Sequence, residues 1–180
     1  MFKKLLLSVV CVLALAVPAA FANTTTYVSY QNSENHFTMD LPQGFTMRPS
    51  PRPEVKVTVV HPENRGCLQV AAQTTDGKIT KKNRSLAIKN WANAVVSQLR
   101  RDPINSAIDS GMTNIAGHEA AYVKYVCTLT VGTQVIPLYV ERYTIEAHDC
   151  YYQITNSVDA AAQDQYKPIF DHSVQSFFVY

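Results

Sequence analysis

His148-Asp149-Cys150 is the densest group of metal-capable side chains in the sequence. A zinc ion needs ligands that converge tetrahedrally, whereas successive strand residues point to opposite faces, so three in a row do not readily share one ion. His36 with Asp40, and His118 beside Glu119, make no stronger case, because histidine and carboxylate side chains at strand ends are ordinarily just solvated. A nucleophilic site needs a serine or cysteine served by a base. Ser110-Gly111 and Ser157-Val158 lack the glycine-flanked elbow that exposes a hydrolase serine. Cys127 alternates with Tyr125 and Leu129, which predicts an apolar, inert thiol. There is no phosphate loop and no dinucleotide fingerprint. No residue is therefore assigned a catalytic, cofactor-binding or metal-ligating role, and the chain reads as a non-enzyme without a cofactor.

Lys78, Lys81, Lys82 and Arg84, continuing to Lys89, form the single local concentration of charge. Such a patch is suited to an anionic membrane surface or an acidic partner. Its ordinary reading is a solvated loop entering a helix. The overall balance excludes general nucleic-acid binding, which needs a basic stripe to displace counterions. Residues 1–22 hold two of the sixteen Lys and Arg and none of the fourteen acids, so the remainder balances at fourteen of each.

Those first residues, MFKKLLLSVVCVLALAVPAAFA, have the layout of a secretory signal peptide. Lys3 and Lys4 form a basic head, Leu5 to Val17 an uncharged apolar run, and Ala20-Phe21-Ala22 a cleavage site. The run is too short for a membrane span, and Val10 before Cys11 does not suit a lipobox. Export to the periplasm or beyond is expected, with residues 23–35 a polar leader and residues 36–180 one domain. Cys67, Cys127 and Cys150 then meet an oxidising compartment but are too few and scattered for a disulfide framework. Turns near Gly132 and His148 would set Cys127 opposite Pro137 and Cys150 opposite Glu146, roughly 30 Å apart at a strand's rise per residue. That argues against a Cys127–Cys150 bridge, whose Cα atoms must lie within about 7 Å. Pairs involving Cys67, Cys67–Cys150 foremost, stay open against the blander state of three reduced, half-buried thiols.

The elements that position these groups follow from periodicity. Residues 36–47 alternate apolar and polar and break at Pro42-Gln43-Gly44, which reads as a strand, a turn and a second strand. Pro49, Pro51 and Pro53 mark an extended loop, and residues 55–61 and 67–73 a hairpin. Ile88, Trp91, Ala92, Val95 and Leu99 recur at helical steps, predicting a helix from Ser85 to Arg101 with Asn83 or Ser85 as N-cap. Trp91 is then expected to anchor that helix on a sheet. Strands over 106–115, 119–130, 134–145 and 150–157 follow. Ile136, Leu138 and Val140 line one side of the third, and Tyr139, Tyr143 and Ile145 the other, as in a central strand covered on both faces. A helix over 159–172, despite Pro168, and a short strand at 177–180 close the chain. Tyr27 and Tyr30 could anchor the leader. The fold class is α+β, an antiparallel sheet flanked by helices in a single domain.

The order of motifs resembles the PsbP-like family, which includes the extrinsic PsbP subunit of photosystem II and bacterial extracytoplasmic DcrB-type proteins. Phe37-Thr38-Met39-Asp40-Leu41-Pro42-Gln43-Gly44-Phe45 fits F-x-[IM]-D-x-P-x-G-[WF]. Ile115-Ala116-Gly117-His118-Glu119-Ala120 fits I-x-G-x-x-A, and Ser176-Phe177 the closing pair. The resemblance runs from Phe37 to Tyr180, with Phe45 where many relatives have tryptophan. It implies an α/β/α sandwich and an accessory protein that docks on a larger assembly, with no catalytic residue set. An exported adaptor binding an envelope or secreted protein is thus expected. The alternative is a carrier holding a small apolar, lipid-like ligand between sheet and helices.

Overall fold

The computed structural model describes residues 25–180, so the expected signal peptide lies outside the described residues. In chain order the strands before the first helix are β1 (Tyr27–Asn32), β2 (Phe37–Pro42), β3 (Thr46–Met47), β4 (Val55–Val60) and β5 (Gly66–Thr74). Helix α1 (Arg84–Leu99) leads into β6 (Ser106–Ile115), β7 (His118–Val131), β8 (Gln134–Ala147) and β9 (Cys150–Asp159). A 3₁₀ turn, α2 (Gln163–Gln175) and β10 (Phe178–Val179) follow. This is the α+β architecture expected, an antiparallel sheet with helices packed against it.

Tight turns dictate the meander at its centre. Ala147 pairs with Cys150, leaving His148 (φ 51°) and Asp149 (φ 57°) as the whole connection. Two left-handed residues in succession are what a two-residue hairpin of matching twist requires, and Asp tolerates that region better than most residues. Gly132 (φ 62°) opens the equally short β7–β8 turn, where Val131 pairs with Gln134. The resulting seven-stranded sheet runs β3-β4-β5-β9-β8-β7-β6, and a second, three-stranded sheet runs β1-β2-β10.

Alternation sends the side chains of the large sheet into two cores. Ile88, Ala92 and Val96 of α1 cover Ala121, Val123, Tyr125 and Val140 on one face. On the other, Tyr166, Phe170 and Val174 of α2 and Phe37, Met39 and Leu41 of β2 enclose Leu68, Val70, Ile145, Tyr152, Ile154 and Val158. Strands β7 and β8 are apolar on both faces because both faces are covered. Helix α1 packs on β6, β7 and β8, so it covers only that half of its face. Beside it, β5 and β9 face a groove.

Several expectations need correction. The polar stretch expected ahead of the fold contains a strand of it, since Tyr27–Asn32 pairs with all of β2 from Tyr27↔Pro42 to Asn32↔Phe37. The tyrosines seen in sequence are its anchors. Tyr27 stacks on His172 at 3.9 Å, and Tyr30 packs against the core. The strand, turn and second strand expected over 36–47 are present, and Thr46 and Met47 of the second join β4 in the other sheet. Helix α1 begins at Arg84 and ends at Leu99, and Asn83 spends its side-chain oxygen on the Thr80 amide (2.6 Å) instead of capping. Trp91 is half-buried at the rim of its core. The meander register is offset by one residue: Cys127 faces Leu138 and Cys150 faces Ala147. The two cysteines keep the wide separation expected, because both partners moved together. Cys67 pairs with Ser157 at the far end of β9 from Cys150, and all three thiols are free.

Candidate functional site

The histidine and carboxylate pairs singled out in sequence do not meet as sequence neighbours. His148 and Asp149 are exposed in their turn. Asp40 is held by His172 (Oδ2–Nε2 3.2 Å), not by His36, whose ring meets Tyr180 edge-on instead. Glu119 accepts a hydrogen bond from Ser85 (2.8 Å). Burial, helped by His148 and Arg84 and opposed by Glu146, pushes the His118 imidazole below its ordinary value. Among the described residues no three His, Cys, Asp or Glu side chains gather closely enough to hold a metal ion. Ser110 and Ser157 lie in strands, and Gly111 beside Ser110 leaves room for the Tyr122 ring, which an added Cβ would meet at 2.9 Å. Burial raises the Cys67, Cys127 and Cys150 thiols above their ordinary value, so none is a ready thiolate.

The basic patch is smaller than its sequence suggests. Arg84 turns away from it to pair with Glu146, a carboxylate only 1 % exposed beneath α1. Lys78 lies 3.9 Å from Asp76, and Lys81 and Lys82 are exposed.

A charged network inside the molecule was missed in sequence. Glu141, 2 % exposed, lies on the α2 side of β8. Its Oε1 accepts the Tyr139 hydroxyl (2.8 Å) and pairs with Lys124 (3.2 Å) and Lys167 (3.5 Å), while Oε2 accepts the Tyr143 hydroxyl (3.1 Å). Burial alone would raise the Glu141 carboxyl, but Tyr139 and the two ammonium groups outweigh it and hold the carboxyl below its usual range. The same burial and the adjoining carboxylate push both tyrosines upward. The signal existed in the sequence: Glu141 falls between Tyr139 and Tyr143 in the period-two row of a strand with two apolar faces. Only α2 docking, which brings Lys167, reveals its function as a tie.

Two surface features remain. One is the groove beside α1, a space of about 240 Å³. Its walls are Trp91, Tyr151 and the paired Arg52 and Glu54, over a floor of Gln69, Gln153, Thr144 and Thr155. The other is an arm. Strand β6 follows β7 only as far as Val126, and β9 follows β8 only from Leu138 onward. Residues 127–137 therefore project as a two-stranded hairpin. Leu129 (46 % exposed) faces Ile136 across it, extending the apolar row that α1 covers further down, and Val135 (65 % exposed) lies on the opposite side. By contrast, the void under α2 lined by Glu141, Asn156 and Phe170 holds about 10 Å³, room for about one water molecule. An apolar ligand between α2 and the sheet has no space there.

The two sheets, their order and the two helices define a PsbP-like fold. The chain superposes on cyanobacterial PsbP (CyanoP) from Synechocystis sp. PCC 6803 with a TM-score of 0.63 over 89 % of this chain and 96 % of that one, at 16 % identity. It is also similar to LpqN of Mycobacterium tuberculosis, described as involved in cell envelope biogenesis (TM-score 0.56, 8 % identity, 87 % and 92 % covered). The protein Mog1, in a variant form, matches as well (TM-score 0.51, 13 % identity, 86 % and 96 % covered). No family model matches the chain, and no curated protein sequence does. At these identities the likeness concerns the fold.

Proposed function

We propose that this chain is an exported accessory protein of the cell envelope, without catalytic activity of its own, that docks on another envelope protein through the β7–β8 arm. The arm carries the reading. A two-stranded hairpin is marginal in water on its own, and this one presents apolar residues and strand edges beyond the sheet that supports it. Pro137, which has no N–H, blunts the β8 edge, so the partner is a strand that adds to β7 along Thr128–Thr130. The signal-like residues 1–22 and the resemblance to PsbP-like and envelope proteins support the setting. No helix among the described residues is long and apolar enough to cross a membrane. The lysines at 78, 81 and 82 would then rest near an anionic surface without anchoring the protein.

A photo-crosslinking residue placed at Val135 in the native host should capture one reproducible envelope protein. The Leu129→Lys, Val135→Lys double variant should lose that product while unfolding at the same temperature as the parent. Capture undiminished by the double variant, or no capture at all, would sink the proposal. Protein recovered from the envelope should begin at Asn23 by N-terminal sequencing, and an intact Met1 would remove the export reading.

A further inference from the structure

We propose that the groove beside α1 binds a neutral polyhydroxylated ligand, a single sugar unit, stacked on Trp91. This goes beyond the docking arm and uses a different part of the sheet. Its lining is the argument. Gln69 and Gln153 each offer two donors and an acceptor, and Thr144 and Thr155 offer hydroxyls that do both. Sugar hydroxyls likewise donate and accept, and a row of neutral amides matches them without discriminating by charge. The groove's two ionic residues, Arg52 and Glu54, lie 3.9 Å apart and cancel, so neither an anion nor a cation is favoured. An apolar ligand would strip water from the amides and return nothing.

The polar groups are also underused. Gln153 reaches Thr155 at 3.4 Å, Arg52 reaches Gln69 at 3.4 Å, and Gln69 reaches Thr58 at 3.3 Å, all long bonds that a ligand can replace. The Thr144 hydroxyl, in a side chain only 1 % exposed, has no partner among the protein's own groups. A buried unpaired hydroxyl is costly, and natural proteins keep few of them without a use. Trp91 supplies the remaining surface, a rigid apolar ring with a polar N–H, half-buried against its own core and half turned to the groove. At 240 Å³ the space lies below the usual ligand range of about 300–1,000 Å³, which suits one ring rather than a chain.

Trp91 is the chain's one tryptophan, so its fluorescence reports this site alone. The purified protein would be titrated with a panel of neutral sugars (glucose, galactose, mannose, xylose, N-acetylglucosamine, N-acetylgalactosamine), with glucuronate, glucosamine and decanoate as controls. At least one neutral sugar should give a saturable change with a Kd near or below about 1 mM, and the controls should not. Thr144→Val should weaken that binding about tenfold while leaving urea stability unchanged or raised, because the lost hydroxyl bonds no other protein group. Should Thr144→Val not fold, Thr155→Val serves in its place, with the same weakening expected. Leu129→Lys, Val135→Lys should bind sugar normally, which separates this site from the docking arm. No saturable response to any neutral sugar, preferential binding of a charged control or decanoate, or undiminished binding by the threonine variants would each overturn the proposal. A partner protein captured through Trp91 in place of sugar would overturn it as well.

Discussion

Glu141 shows how one side chain ties both ends of the molecule's centre. Its carboxylate is kept ionised by Tyr139, Lys124 and Lys167 against the cost of burial, so its folded-state pKa lies below the ordinary glutamate value of 4.5. A depressed carboxyl contributes stability that is complete above its unfolded pKa and is lost as pH falls through the folded one. Urea stability should therefore decline from about pH 4.5 downward, and Glu141→Gln should flatten that limb. A parent and variant with parallel acid limbs would contradict the assignment. Glu146 makes a simpler case, since Arg84 is its ion-pair partner. Arg84→Ala leaves a buried carboxylate uncompensated and should cost about 2–4 kcal/mol, discounted because Arg84 itself is partly exposed. Arg84→Lys should recover part of that loss in the same urea measurement.

At the scale of elements, α1 separates three residues that sequence periodicity places close together. Ile88 is fully buried, Trp91 half-buried and Lys89 exposed. Ile88→Ala should cost about 2–5 kcal/mol, Trp91→Ala less, about 1–2 kcal/mol, and Lys89→Ala under about 0.5 kcal/mol. Urea unfolding of the three variants tests that order, and a Trp91 loss as large as that of Ile88 would mean that the indole is a true anchor. The apolar stripe Ile88–Trp91–Ala92–Val95–Leu99 was legible in sequence, as were nearly all strands, because periods of 3.6 and 2 survive local reading. The sequence did not show where the helix lands. Covering β6 to β8 but not β9, it leaves Trp91 at the border, and that border depends on the placement of strands far away in sequence. For the same reason the Arg84–Glu146 pair, and the tie from Glu141 to Lys167, were invisible. Polar residue 27–32 looked like a leader because half of each side chain's surroundings is water, and its pairing partner lies beyond a turn.

For the molecule as a whole, two cores on opposite faces of one sheet carry the stability, and no disulfide joins the described residues. Cys67 and Cys150 mark opposite ends of the β5–β9 ladder, and Cys127 sits at the base of the arm. Purified protein freed of residues 1–22, which hold Cys11, should melt at the same temperature with and without reductant and label at Cys67, Cys127 and Cys150 when denatured; a reductant-sensitive transition would mean that a strand has moved. Helix α2 links the halves, packing on β9 of the large sheet and β2 of the small one. That is why residues 163–175, though polar outside, cannot be trimmed as a surface addition.

The small sheet has a consequence for timing. Strand β2 lies between β1, its immediate predecessor, and β10, about 140 positions later, with Phe37 against Phe177 at 5.3 Å and the Ser176 hydroxyl on the Asp40 amide. Until residue 179 has been made, β2 has one neighbour and half a core. Synthesis at roughly 5–20 residues per second leaves it so for on the order of ten seconds. Contacts of such separation are also slow to form once possible. Under the export proposed above, the clasp that completes the fold cannot close early, and the nascent protein would stay a pliable substrate for transport until β10 emerges.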